Sequence, residues 1–199
     1  TREYALDVFF DTTSGVAING DAATVVTADV VGTNGIVHVI DGVLLPLSIA
    51  EVADVAGFTQ LLTAVGASDP IPASIAGSET PVADALSTDG LAPLTVFAPT
   101  DDAFTAAFPG GLPTDGGDIL GVLGLHVIAQ PLPVRAEDLP GDTSTTVPSL
   151  IGTDLFFDTS MTPPTVNVTG GNAAGIVGTD VGATNGVIHV IDTVLLETP

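Results

Sequence analysis

The sequence contains no cysteine, no tryptophan and no lysine, and its only cationic side chains are Arg2 and Arg135. Without cysteine there is no disulfide framework, no thiolate metal site and no cysteine nucleophile. Two cations against 24 acidic residues leave a formal net charge of −22. That excludes binding to the nucleic-acid backbone, which needs Lys and Arg to release counterions, and disfavours anionic membrane surfaces. No run approaches the ~18–20 apolar residues of a membrane span. The chain begins at Thr1 with neither Met nor a signal peptide, which reads as a processed or excised piece. Neither a G-x-S-x-G elbow nor a D-x-D-x-D-G calcium loop occurs. His38, His126 and His189 each lie in an apolar run, with no second His or Cys at metal-ligand spacing. No catalytic residue, cofactor or metal site is therefore expected.

What the chain does have is a core. Its 199 residues are 45% hydrophobic, room for one domain and part of another. The acidic excess serves solubility in a saline medium. Self-repulsion among 22 net charges should weaken as added salt shortens the Debye length from ~30 Å at 0.01 M to ~3 Å at 1 M. The melting temperature is expected to rise from low to molar sodium chloride, and a flat or falling trend would contradict this.

The chain repeats itself. NGIVHVIDGVLL at Asn34–Leu45 returns as NGVIHVIDTVLL at Asn185–Leu196. Each copy opens on Asn-Gly, a turn dipeptide tolerant of φ > 0, and continues with the β-branched, period-2 pattern of a strand. LDVFFDT at Leu6–Thr12 likewise matches TDLFFDT at Thr153–Thr159. The offset grows from 147 to 151, which places four extra residues in the hairpin between the two matches. Residues 1–46 read as strands alone, with no helix to cover their apolar face.

Past Pro46 the pattern changes. Ser48-Ile49-Ala50-Glu51 has the form of a capping box, with a helix to about Ala56 stopped by Gly57. Phe58, Leu61, Leu62 and Val65 form an amphipathic stripe. Gly66–Ser78 reads as a loop, Thr80-Pro81 as a helix start, and Ala92–Pro99 as a buried strand. Thr100-Asp101-Asp102 suits a helix N-terminus, where acids favour the cap and dipole. A further helix is expected over Asp118–Ile128, followed by an irregular passage marked by Pro131, Pro133 and Pro140, and then strands from Ser149.

LTVFAPTDDAF at Leu94–Phe104 resembles the first signature of the fasciclin-type (FAS1) domain family, and Asn185–Leu196 resembles its second. The family's middle Tyr-His element corresponds to Leu125-His126, with Leu in place of Tyr. The resemblance implies an α+β fold, a wedge of short strands with helices packed over it. It implies one complete domain at 47–199, preceded at 1–46 by the C-terminal half of another. A surface insertion is expected at Pro70–Glu79.

The family-motif positions are Thr95, Phe97, Pro99, Thr100, Phe104, His126, Asn185, Gly186, His189 and Asp192, with Asn34, His38 and Asp41 in the first copy. Family adhesion proteins carry an Asp-Ile pair linked to integrin binding. Asp180-Val181 and Asp29-Val30 hold that place here, where strand packing and a turn are the plainer roles. Asn167 begins an N-glycosylation sequon. His126 and His189 are expected to be buried, hydrogen-bonded and structural. A partner for His126 is expected in Thr95–Asp101, and its loss should cost ~1–3 kcal/mol.

The function implied is a non-catalytic extracellular or cell-surface adhesion module of a tandem-repeat protein. Its partners would be other FAS1 domains, matrix proteins or polysaccharides, without nucleic acid or membrane insertion. The alternative is an acidic structural subunit of a surface fibre or matrix. Residues 1–46 would need a partner segment or a neighbouring molecule to be covered.

Overall fold

The computed structural model describes residues 6–13, 15–76, 79–87, 93–130, 134–139 and 145–197. Pro131, Pro133, Pro140, Ala92 and Ser78 lie outside them. The elements form two sheets. Strands β1 (Phe10–Asp11), β2 (Ala17–Ile18), β3 (Ala23–Val31) and β4 (Ile36–Ile40) make a four-stranded antiparallel sheet in that order. Helices then follow: α1 (Ile49–Val55), α2 (Thr59–Ala67), the single turn α3 (Ala73–Ala76) and α4 (Val82–Ser87). Next come β5 (Leu94–Pro99), α5 (Asp101–Ala107), α6 (Gly116–Leu125) and β6 (Val127–Ala129). After a 3-10 turn at Ala136–Asp138 the chain ends in β7 (Thr146–Pro148), β8 (Asp154–Asp158), β9 (Thr165–Val168), β10 (Ala173–Ala183) and β11 (Gly186–Ile191). The second sheet has the order β6-β5-β11-β10-β9-β8-β7, with β5 and β11 parallel and all other neighbours antiparallel.

Local chemistry sets the helix ends. Ser48 caps α1 and shares a full capping box with Glu51, and Gly57 at φ +81° turns the chain away. Thr100 caps α5 through its hydroxyl. Asp101, expected to serve its own helix, instead accepts from Thr59 Oγ1 and from the Gln60 N–H at 2.9 Å. It thus caps α2, whose own N-cap residue, Phe58, supplies no side-chain bond. The expected loop at Gly66–Ser78 is shorter than read, because α2 runs to Ala67 and α3 occupies Ala73–Ala76. The helix expected over Asp118–Ile128 starts earlier, capped by Asp115, and ends at Leu125. There Val127 and Ile128, both β-branched, leave the helix to pair with β5.

The two copies of the repeat share their register to the residue. Val25, Thr27, Val30 and Val31 of β3 face Ile40, Val39, Val37 and Ile36 of β4. Ile176, Gly178, Val181 and Gly182 of β10 face Ile191, Val190, Ile188 and Val187 of β11, each 151 positions on. Both pairs carry the same two register shifts, the second with an Asp in the left-handed region: Asp29 at φ +59° and Asp180 at φ +61°. The four extra residues of the second copy are split rather than gathered in one hairpin. One lies in the β8–β9 turn and three in the β9–β10 turn, judged by the pairs Phe10–Ile18, Phe157–Val166, Ile18–Ala23 and Val166–Ala174.

Burial separates the copies. Two apolar clusters flank the seven-stranded sheet. One lies under α1, α2, α4, α5 and α6, and the other is built from Phe97, Leu125, Leu155, Phe157, Val166 and Ile191 with their neighbours. Val187 and Ile188 are 1% exposed, whereas their counterparts Ile36 and Val37 are 61% and 56% exposed. Phe157 is fully buried and Phe10 is 65% exposed. Around the first sheet, Phe9 packs against the helical cluster, Asp7 Oδ2 accepts from the Gly182 N–H at 2.7 Å, and Gly20 in the β2–β3 turn lies beside Val55 of α1.

Candidate functional site

The family-motif residues converge where β5, β10 and β11 meet. The strand β11 lies between parallel β5 and antiparallel β10, so both of its faces are covered. The alternation expected for it therefore does not divide core from solvent: Val187, Ile188, His189 and Ile191 are all buried. After β11, Val194 and Leu195 are fully buried outside any strand.

Asn185-Gly186 enters this strand without using φ > 0 at either residue. The Asn185 side chain instead accepts from the Ile49 N–H at 2.9 Å and donates to the Leu86 carbonyl at 2.9 Å, tying β11 to α1 and α4. Gly186 is required by proximity, because a Cβ there would fall on the Leu94 carbonyl oxygen. Asp192 accepts from the Gly175 N–H at 2.8 Å, and in the first copy Asp41 accepts from the Thr24 N–H at 2.6 Å.

His189 is at the centre. Its Nδ1 accepts from the Asp180 N–H at 3.3 Å, which leaves the proton on Nε2 to donate to the Val134 carbonyl at 2.8 Å. The Asp180 carboxylate accepts from the Ala136 N–H at 2.9 Å, and Thr95 Oγ1 accepts from the Val134 N–H at 2.7 Å. Phe97 stacks on the His189 ring at 5.5 Å between centroids and contacts Phe157 at 5.7 Å. The result is a clamp. A His, an Asp and a Thr hold the backbone of residues 134–136 as an adjacent strand would, by a carbonyl and, two residues on, an N–H. The sequence marked that stretch only as irregular, and no local signal in it points to the clamp.

His126 sits apart as the C-cap of α6. The expected partner in Thr95–Asp101 is not what its side chain uses, although the His126 carbonyl accepts from the Phe97 N–H. Its Nδ1 donates to the Val122 carbonyl at 2.8 Å and its Nε2 accepts from the Leu195 N–H at 2.9 Å. The helix end fixes this, since the His126 N–H turns to Leu123 and leaves the Val122 carbonyl for the ring. The two buried histidines are thus held as opposite neutral tautomers.

Burial pushes the His126 pKa from 6.5 to about 4, against a smaller opposing effect of the Val122 carbonyl. Burial also lowers that of His189, opposed by the Val134 carbonyl and the Asp180 charge. Between about pH 4 and 6.5 the unfolded chain takes up the proton that folded His126 refuses. Stability is therefore full above pH 6.5 and falls as the pH drops toward 4. His126 alone accounts for about 3 kcal/mol of that loss. Urea midpoints at pH 7, 5.5 and 4.5 should decline in step, and equal midpoints would refute the assignment.

The remaining motif residues play local roles. Pro99 pairs with Ile191 in the β5–β11 register, and Phe104 packs on Phe108 along α5 at 6.4 Å. Asn167 lies within β9, where its Nδ2 already donates to Thr165 Oγ1 at 3.0 Å. Val181 is half-buried, while Asp29, Val30, Asn34, His38 and Asp41 are exposed. Among the described residues no three His, Asp or Glu side chains gather as a metal site would require. An open groove of about 420 Å³ runs beside α6, between Gly121, Ile151 and the carboxylates of Asp118 and Glu197.

These features define a class: a wedge of short strands under a helical cap, with the polar motif residues of the second copy hydrogen-bonded within the fold. The Fasciclin domain family matches residues 3–46 and 58–197, and the chain belongs to that family. The fold agrees with the solved FAS1 domain pair from the insect cell adhesion molecule Fasciclin I. The TM-score is 0.59 at 21% identity, covering 96% of this chain and 66% of that one. Protein sll1483 of Synechocystis is 38% identical over 159 residues, 75% of this chain and 73% of its own length. Fasciclin-1 of Schistocerca americana is 33% identical over 107 residues, 51% of this chain and 16% of that protein.

Proposed function

We infer that this chain is a non-catalytic adhesion or interaction module of an extracellular or cell-surface protein, built from a complete FAS1 domain at 47–199 and the second half of another at 1–46. The observation that carries the reading is membership of the Fasciclin domain family, matched over residues 3–46 and 58–197. The name of the insect relative, a cell adhesion molecule, points the same way. Among the described residues no helix is long and apolar enough to cross a membrane. The immobilised chain is expected to retain matrix proteins or polysaccharides from a defined panel. Retention of none, together with turnover of a polysaccharide or ester substrate, would replace the reading by an enzymatic one.

Among the described residues β4 has no neighbour on its outer side, which favours a second reading, a subunit of a surface fibre, because an unpaired strand edge is a template for assembly. Light scattering separates the two: discrete species for an interaction module, open-ended growth for a fibre.

A further inference from the structure

Helix α6 carries four glycines, and glycine weakens a helix relative to alanine. Three of them answer to neighbours within the chain. A Cβ on Gly116 would fall 2.5 Å from Asp69 Oδ1, one on Gly117 3.1 Å from Asp115 Oδ1, and one on Gly124 2.2 Å from Ile151 Cγ2. Gly121 is different. It lies in the middle of the helix, and a Cβ there would meet nothing within 4 Å among the described residues. No packing inside the chain calls for the missing side chain, so the room it leaves serves something outside.

That room is the floor of the open groove of about 420 Å³, a volume in the range of ligand clefts. Helical spacing sets Gly117, Gly121 and Leu125 in one row along α6, with Asp118 in the next. Ile151 and Glu197 complete the lining from other parts of the chain. Glu197 is held in place, since it forms a β-bridge with Gly171 and its Oε1 accepts from Thr153 Oγ1 at 2.7 Å. The groove thus offers a glycine floor on which a backbone can lie, apolar flanks and two carboxylates, with no Lys or Arg in its lining.

The charge selects the occupant. Two carboxylates on a chain of net charge −22 favour a cationic partner and repel an acidic one. A second copy of this chain brings the same −22 and no lysine, so it is not the occupant. Resting on the reading of the chain as an interaction module, we propose that this groove docks an extended segment of a cationic polypeptide. The segment's backbone crosses Gly121, its apolar side chains lie against Leu125 and Ile151, and its Lys or Arg side chains pair with Asp118 and Glu197.

The probe is the capped peptide KLALK, titrated at low ionic strength into the isotope-labelled full chain. Amides of 117–122 and 197 should shift saturably, and the acidic peptide ELALE should shift none of them. Spermine, which has the charge without the apolar side chains, should bind at least about tenfold more weakly. Gly121→Leu should weaken peptide binding at least about tenfold while raising the melting temperature, because leucine is the better helix former. Asp118→Asn combined with Glu197→Gln should weaken binding by a similar factor. Asp54→Asn combined with Asp102→Asn removes the same charge from exposed positions on α1 and α5, and should leave binding within about twofold.

The proposal is overturned if ELALE or spermine binds as well as KLALK, or if Gly121→Leu binds as the parent chain does. Equal weakening by the two charge-removing pairs would mean diffuse attraction to an acidic surface and would also overturn it. So would nuclear Overhauser contacts to Gly121 from residues of the same chain or of a second copy, which would make those the occupant. Retention of surface partners by the immobilised chain, with 117–122 unmoved by KLALK, would sink the groove alone. Retention of no partner, with turnover of a substrate, would instead remove the interaction reading, whatever the groove binds.

Discussion

Replacing His126 by alanine is expected to lower stability by about 3–5 kcal/mol, a large fraction of the ~5–15 kcal/mol that holds a typical domain together. The ring is 1% exposed and bridges two elements: the end of α6, through the Val122 carbonyl, and the tail after β11, through the Leu195 N–H. Alanine leaves a cavity of ring size. It also strands a buried donor and a buried acceptor, each costing about 1–3 kcal/mol when unpaired. The ~1–3 kcal/mol expected from sequence assumed one partner, and the second raises the figure. Urea unfolding should show a lower midpoint at an unchanged slope. A loss below 1 kcal/mol would mean that water replaces the ring, and the bridge would then not be what holds Leu195.

The fold was legible because its signatures are long and local. The capping box at Ser48–Glu51, the stop at Gly57 and the cap at Thr100 are each written in three or four neighbouring residues, and the structure uses them that way. The repeat was legible for the same reason. What sequence could not show is which side chain serves which element. Asp101 caps α2 rather than its own helix, because the partner in space lies 41 residues away. Asn185 looked like turn chemistry, since Asn-Gly is most often that. Its actual use, pinning α1 and α4 to β11, depends on residues 136 and 99 positions distant. The clamp at residues 134–136 had no signal at all, because it recognises backbone atoms that every residue possesses. The two Asp residues at positive φ were legible as residues of a turn, though not as the bulges that aim the clamp.

The largest contrast expected between two equivalent substitutions is that of Gly186→Ala and Gly35→Ala. Both glycines follow the Asn of the repeated motif and open corresponding strands. At Gly186 a Cβ would overlap the Leu94 carbonyl oxygen and lie 2.8 and 2.9 Å from the Leu94 carbonyl carbon and nitrogen. These are backbone atoms of a buried strand, so no side chain can swing aside, and β5 and β11 must separate at their first pair. That separation also stretches the bond from the Leu94 N–H to the Asn185 carbonyl, now 2.9 Å, and loosens the Asn185 links to Ile49 and Leu86. Overpacking of this kind costs about 1–3 kcal/mol where neighbours can give, and more where they cannot. About 4 kcal/mol is expected here, near the exceptional end for a single substitution. At Gly35 the added methyl meets nothing, and the backbone is not in the left-handed region. Its effect should stay within about 0.5 kcal/mol. Thermal unfolding of the two variants side by side decides the matter. Equal losses would mean that β4 is already paired in solution as β11 is, and the first sheet would then be a covered interface rather than an open one.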